Sequence, residues 1–208
     1  MAIDFYGDFK LGILGGGQLG RMLIQEAVNL NVDVHILDPD PNAPCKDLCS
    51  RFEVGRLGDF DTVYQFGKHL DMLTIEIEKV NVDALEKLEE EGLMVYPQSR
   101  IIRLIQDKGL QKQFFKQNDI PTAPFQLISA REELSGASLA LPYIQKLRKD
   151  GYDGRGVMKI RTEADIVTSS APLKTSFILH SFKNRGGKVK SSKSYYDKNM
   201  RFIGVDKS

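Results

Sequence analysis

The sequence has little cysteine and little histidine. Cys45 and Cys49 stand four apart, and His35, His69 and His180 are scattered away from them. A zinc site would bring a second close pair of ligands, so the two cysteines read as ordinary reduced thiols. Long apolar runs are missing as well: no stretch reaches the roughly 18 apolar residues of a membrane span, and the opening MAIDFYGDFK is acidic, without the apolar core of a secretory signal. These absences point to a cytoplasmic protein without a membrane partner. Nor is there a large excess of charge. The formal net charge is +1, so the chain as a whole lacks the electrostatic footprint of a nucleic-acid binder. The balance is uneven, however: residues 167–208 carry nine Lys or Arg against Asp197 and Asp206, a net of +7, which leaves −6 to residues 1–166.

What is present is a chain of 208 residues with 41% apolar side chains, enough to bury a core in one or two domains. KLGIL (10–14) reads as a strand that runs into the glycine loop GGGQLG (15–20), and RMLIQEAVNLNV continues as a helix with Leu23, Ala27 and Leu30 on one face. DVHILD (33–38) is the next strand, closed by the turn residues of PDPNAP. The alternation continues through DMLTIE, DALEKLEEEG and LMVYP, and then a long helical region for which Ser99 offers a cap and Gly109 a bend or break. Such an order predicts an α/β fold with a doubly wound parallel sheet. After IPTAPF the segments shorten. LPYIQKLR and VMKIR flank a second glycine loop, DGYDGRG (150–156), as two antiparallel strands of a smaller domain would, and Thr162 opens a short helix. From Val167 onward no period is visible, and the basic composition predicts a poorly ordered tail.

Gly15, Gly17 and Gly20 satisfy GxGxxG, and with Gly16 they make a loop whose amides suit a phosphate at a helix N-terminus. Asp38 lies where a dinucleotide fold places its ribose-binding acid, so an NAD-dependent dehydrogenase is one reading and a tight packing turn without ligand another. Gln18 at the crest of the loop favours a ligand. Glu76 and Glu78, two apart in TIEIE, would aim both carboxylates to one side of a strand end and hold ligand hydroxyl or amino groups. Lys146 precedes the second glycine loop, and Lys108 sits in the long helical region; lysines near a flexible glycine loop recur in sites that hold nucleotide phosphates. Tyr152 and Arg155 within that loop suit a lid. A basic nucleic-acid-binding module acting through the +7 tail is a further alternative.

GILGGGQLGRML, LDPDPNAPC, TIEIE, QDKGLQKQFF, IPTAPF and QKLRKDGYDGRG, in this order, resemble the 5-(carboxyamino)imidazole ribonucleotide synthase family of ATP-grasp ligases, over residues 10 to about 166. The resemblance implies a Rossmann-like pre-ATP-grasp domain over 1–120, an incomplete ATP-grasp domain with a small subdomain over 121–166, and a non-family tail over 167–208. It implies that ATP phosphorylates bicarbonate to carboxyphosphate and that the amine of 5-aminoimidazole ribonucleotide is then carboxylated, in purine biosynthesis, with magnesium as cofactor and a homodimer as family assembly. It assigns Gln18, Leu19 and Glu76 to the aminoimidazole ribonucleotide, and Lys108, Lys146, Asp153, Gly154 and Gly156 to ATP. Tyr152 and Arg155 take the catalytic roles in the closing loop. Lys108 stands where the family usually has Arg, and Asp150 where it has Gly. The family's acidic magnesium ligands belong to a lobe that is not recognisable here, so the sequence reads as truncated or frame-shifted after about residue 166 and the chain is expected to be inactive by itself.

Overall fold

The computed structural model describes residues 9–129, 131–149, 156–168, 177–181, 194–196 and 202–205. The chain divides into two units, Met1–Ile105 and Gln106–Ser208.

The first unit is built on five strands: β1 (Lys10–Leu14), β2 (Asp33–Asp38), β3 (Arg51–Val54), β4 (Met72–Ile75) and β5 (Met94–Tyr96). All their pairings are parallel, in the order β3-β2-β1-β4-β5. Neighbouring residues of a strand serve opposite faces. Ile13 and its register partner Ile36 pack with Ile24 and Ala27 of α1 (Gln18–Asn29). One residue on, Leu14 and its partner Leu37 pack on the other side, with Val63 and Phe66 of α2 (Phe60–Gly67) and Leu85 and Leu88 of α3 (Val82–Glu90). Both faces are therefore covered by helices, which is the doubly wound arrangement expected from the alternating sequence.

The long helical region after Ser99 breaks at Asp107 into α4 (Ser99–Gln106) and α5 (Lys108–Gln117). Asp107 caps α5, accepting from the amides of Gly109 at 2.8 Å and Leu110 at 3.1 Å. Ser99 does not act as the expected cap. Its hydroxyl donates to Glu89, whose other oxygen receives the Ser99 amide at 3.1 Å, so a carboxylate from α3 serves the start of α4.

In the second unit α5 is followed by β6 (Phe125–Ile128), a 3₁₀ turn (Arg131–Gly136), β7 (Tyr143–Leu147), β8 (Val157–Ile160), α6 (Glu163–Thr168) and β9 (Phe177–Ser181). The antiparallel sheet runs β6-β9-β7-β8. Its core holds Ile128, Leu134, Tyr143, Ile160 and Leu179. As expected, β7 and β8 are the antiparallel flanks of the second glycine loop.

Two features of the fold bear on the expected domain bounds. The unit boundary falls at Ile105 rather than 120, because Asp107 and α5 belong to the second unit: Asp107 is bonded to Arg148, just past β7, and α5 packs on β9. The expected tail from residue 167 is not featureless. β9 is an inner strand of the sheet, and β10 (Ser194–Tyr196) and β11 (Phe202–Val205) pair antiparallel. In β9 the successive residues Ile178 and Leu179 are both fully buried, so both faces are covered and no polar alternation marks the strand in the sequence.

Candidate functional site

In the first unit β1 and β4 lie side by side, and the strand order turns outward from them in opposite directions. The carboxyl ends of such a pair form the crevice in which open parallel sheets bind ligands. Gly15–Gly17 follow β1 here, and Glu76 follows β4, its amide held by the Leu14 carbonyl at 2.8 Å. Gly15 has φ +105°, a conformation that favours glycine. A Cβ on Gly15 would lie 2.8 Å from Glu76 Oε2, and one on Gly17 would lie 2.8 Å from Glu76 Oε1. The Glu76 carboxylate thus rests against the loop backbone, in the space that two side chains would take.

The loop is tied on its other flank. Gly16 N donates to Asp38 Oδ2 at 2.6 Å, and Asp40 N donates to Asp38 Oδ1 at 2.7 Å. Cys45 N donates to the Gly16 carbonyl at 3.1 Å, and its thiol donates to the Gly17 carbonyl at 3.4 Å. Burial, then the neighbouring Cys49, Glu76 and Asp38, pushes the Cys45 thiol up to about 11. It is a structural thiol. Gln18 and Leu19 open α1 as exposed residues, with Leu19 63% exposed.

These contacts bear on three expectations. Both oxygens of Asp38 serve backbone amides, so it is not presented as a ribose acceptor. Gly15 N donates to the Leu37 carbonyl at 2.9 Å and Gly16 N to Asp38, so neither amide is directed at a phosphate, and the adjacent Glu76 carboxylate would repel one. Glu78 does not share a strand face with Glu76, because β4 ends at Ile75 and residues 76–78 bend.

In the second unit Lys146 lies on β7 between its register partners Val157 and Ile178. Its neighbour Gln145 is buried, with register partner Leu179, a residue of the sheet core; Lys146 projects from the opposite face. Burial, then the charge of Lys108, holds its ammonium below the usual lysine range. Lys112, one turn along α5 from Lys108, is lowered likewise by burial and then by Lys146. It donates to the Thr122 hydroxyl and sits 5.9 Å from the centre of the Phe115 ring. Lys108, Lys112 and Lys146 therefore gather positive charge in one place. Lys112 was not singled out from the sequence, although its i, i+4 spacing from Lys108 was a signal.

Asp107 and Arg148 frame this cluster. Arg148 Nε donates to Asp107 Oδ1 at 3.0 Å and Nη2 to Oδ2 at 2.8 Å, while Lys108 N donates to the Arg148 carbonyl at 2.9 Å. Burial raises the Asp107 carboxyl, but the Arg148 fork and the Leu110 and Gly109 amides outweigh it, and its pKa lies below the ordinary value. Gly156, at φ +71°, accepts from Leu147 N at 2.9 Å and so closes the β7–β8 connection. Tyr152, Asp153, Gly154 and Arg155 lie outside the described residues, as do Asp150 and residues 169–176. Among the described residues there is no group of three His, Cys, Asp or Glu side chains that could hold a metal ion, and no helix is long and apolar enough to cross a membrane.

Residues 9–106 match the ribonucleotide synthetase preATP-grasp domain, and residues 113–182 match the ATP-grasp domain. Over these two domains the chain is similar to carboxyaminoimidazole ribonucleotide synthases. It is 38% identical over 156 residues to the chloroplastic phosphoribosylaminoimidazole carboxylase of Vigna aconitifolia, covering 75% of this chain and 28% of the relative. It is 34% identical over 166 residues to the N5-carboxyaminoimidazole ribonucleotide synthase of Pseudomonas aeruginosa, covering 79% and 46%. A solved N5-carboxyaminoimidazole synthase of Aspergillus clavatus, in complex with ADP and 5-aminoimidazole ribonucleotide, superposes with a TM-score of 0.72 at 32% identity, covering 82% of this chain and 46% of that one. The chain thus spans less than half the length of these relatives and corresponds to an amino-terminal portion of the family. The ATP-grasp match extends past residue 166 and takes in β9, in keeping with the place of that strand inside the sheet.

Proposed function

We propose that this chain supplies part of the machinery for ATP-dependent carboxylation of 5-aminoimidazole ribonucleotide with bicarbonate, a reaction of the cytoplasm. In this reading the first unit meets the ribonucleotide and the second meets ATP. The observation that carries it is the Glu76 carboxylate seated in the Gly15–Gly17 loop. A carboxylate there is an acceptor for amino and hydroxyl hydrogens, which an aminoimidazole riboside has, and it disfavours a dinucleotide pyrophosphate. Gln18 adds an amide and Leu19 an apolar surface at the start of α1.

Lys108 and Lys146 hold the ATP phosphates in this reading, and Lys112 adds to their field. By resemblance, Asp153, Gly154 and Gly156 also meet ATP, and Tyr152 and Arg155 take the catalytic roles. Bicarbonate attacks the γ-phosphorus, ADP leaves, and the amine of the ribonucleotide takes the carboxyl from carboxyphosphate as phosphate departs. Magnesium would neutralise phosphate charge, but the described residues offer no group of three ligand side chains for it. The test is calorimetric titration of the chain with 5-aminoimidazole ribonucleotide and, separately, with ATP. Glu76→Gln should weaken the first and leave the second unchanged, and Lys146→Ala should do the reverse. Saturable NADH binding, with neither of these, would replace the reading with a dehydrogenase.

A further inference from the structure

Two charged groups of the second unit are fixed to one another more firmly than the lysines they adjoin. Asp107 takes four hydrogen bonds: from the amides of Gly109 and Leu110, and from Nε and Nη2 of Arg148. The side chain of Asp107 is 6% exposed and that of Arg148 is 24% exposed. The backbone repeats the connection, since the Arg148 carbonyl receives the Lys108 amide at 2.9 Å. Lys108 is the residue after Asp107, and Lys146 lies two residues before Arg148. One clasp therefore sets the start of α5 and the end of β7 together, with a lysine on each.

Gly109 shows how closely the guanidinium is seated. A Cβ there would lie 2.4 Å from Arg148 Nε and 2.9 Å from Cζ. The glycine is the second residue of α5, where alanine would otherwise favour the helix. Its lack of a side chain makes room for the fork.

We propose that the Asp107–Arg148 clasp, with Gly109 as its seat, is the positioning device of a polyphosphate-holding site, and that Arg148 is a positioning residue that sets the spacing of Lys108 and Lys146 instead of a ligand itself. The proposal rests on the reading of those lysines as phosphate ligands. Bringing two ammonium groups close costs repulsion, and a rigid frame is needed to keep them together until an anion arrives.

The test uses two variants that keep every positive charge of the site. Arg148→Lys removes the fork but not the cation, and Gly109→Ala displaces the guanidinium while favouring the helix. The probe is inorganic triphosphate, titrated calorimetrically at low salt, with the melting temperature measured alongside. Both variants should bind triphosphate at least about tenfold more weakly than the unchanged chain. In carbon-13-labelled lysine spectra, the Lys146 titration should move up toward the ordinary lysine range as Lys108 drifts away. A purely structural role would lower the melting temperature without moving that titration. Undiminished triphosphate affinity in both variants overturns the clasp alone. Absence of triphosphate binding by the unchanged chain overturns the phosphate reading and the clasp with it.

Discussion

The carboxylate of Asp38 accepts the amide of Gly16 at 2.6 Å, and this contact decides between two uses of one motif. In a dinucleotide fold the acid at this place faces a ribose; here it braces the glycine loop from behind. NADH fluorescence titration should show no saturable binding. Asp38→Asn should lower stability by about 1–3 kcal/mol, because the buried Gly16 amide loses a charged acceptor. Urea melts of the two proteins would measure it.

Alanine at Gly15 and alanine at Gly17 should fail for different reasons. Both meet the Glu76 carboxylate at 2.8 Å, but only Gly15 has a positive φ, +105°. Glu76→Ala should therefore rescue Gly17→Ala, with a coupling of about 0.5–3 kcal/mol in a double-mutant cycle. Gly15→Ala should keep a strain of about 1–3 kcal/mol even in the Glu76→Ala background.

The clasp should leave a mark on acid stability. Asp107 has a folded pKa below its unfolded value, so its stabilisation is fully present above about pH 4 and is lost as pH falls through the folded value. Asp107→Asn should flatten that part of the stability curve and cost about 1.5–3 kcal/mol at neutral pH. Chemical melts at a series of pH values would follow both effects.

Lys146 should act in the opposite sense. Its folded pKa is lowered by burial and then by Lys108, so stability should rise with pH between that folded value and the ordinary value near 10.4. Triphosphate affinity should fall over the same window, as the ammonium loses its proton. Lys146→Arg should make affinity fall less steeply across it, since the guanidinium does not titrate there and only Lys112 remains lowered. Calorimetry at rising pH in buffers of different ionisation heat should show larger proton uptake on binding for the unchanged chain than for Lys146→Arg.

The two cysteines should separate cleanly. Cys45 is fully buried, with a thiol pushed up to about 11, whereas Cys49 is half-buried. A brief pulse of iodoacetamide at pH 8 should label Cys49 ahead of Cys45, and urea should make both reactive. Peptide mass spectrometry reads the ratio.

The sequence was most readable where a strand is apolar and followed by glycine or a helix, as at β1, β2, β4 and β5. β3 escaped because RFEV is short, charged and at the sheet edge, and the helix after Asp59 was not foreseen. β9 escaped because it is covered on both faces and set in basic surroundings. For the site, residue types were legible but contacts were not. Spacing placed Glu76 and the glycine loop at the same sheet edge, yet it could not tell that the carboxylate fills the loop. Asp38 looked like a ligand acid because its role as a backbone acceptor leaves the same letter in the same position. Lys112 was overlooked because a lone helical lysine is commonly solvated; it is Lys108 and Lys146 on neighbouring elements that give it a role.

The inner place of β9 bears on how this chain can be shortened. Among the described residues β6 has no strand beside it other than β9, and β7 has β9 on one side and β8 on the other. Ending the chain at residue 166 would leave β6 without a ladder partner and would bare one edge of β7, with unpaired amides and carbonyls along both. Bare edges recruit strands from other molecules. A version cut there would be prone to aggregate, whereas one that keeps Phe177–Ser181 retains its own protection against sheet-to-sheet association.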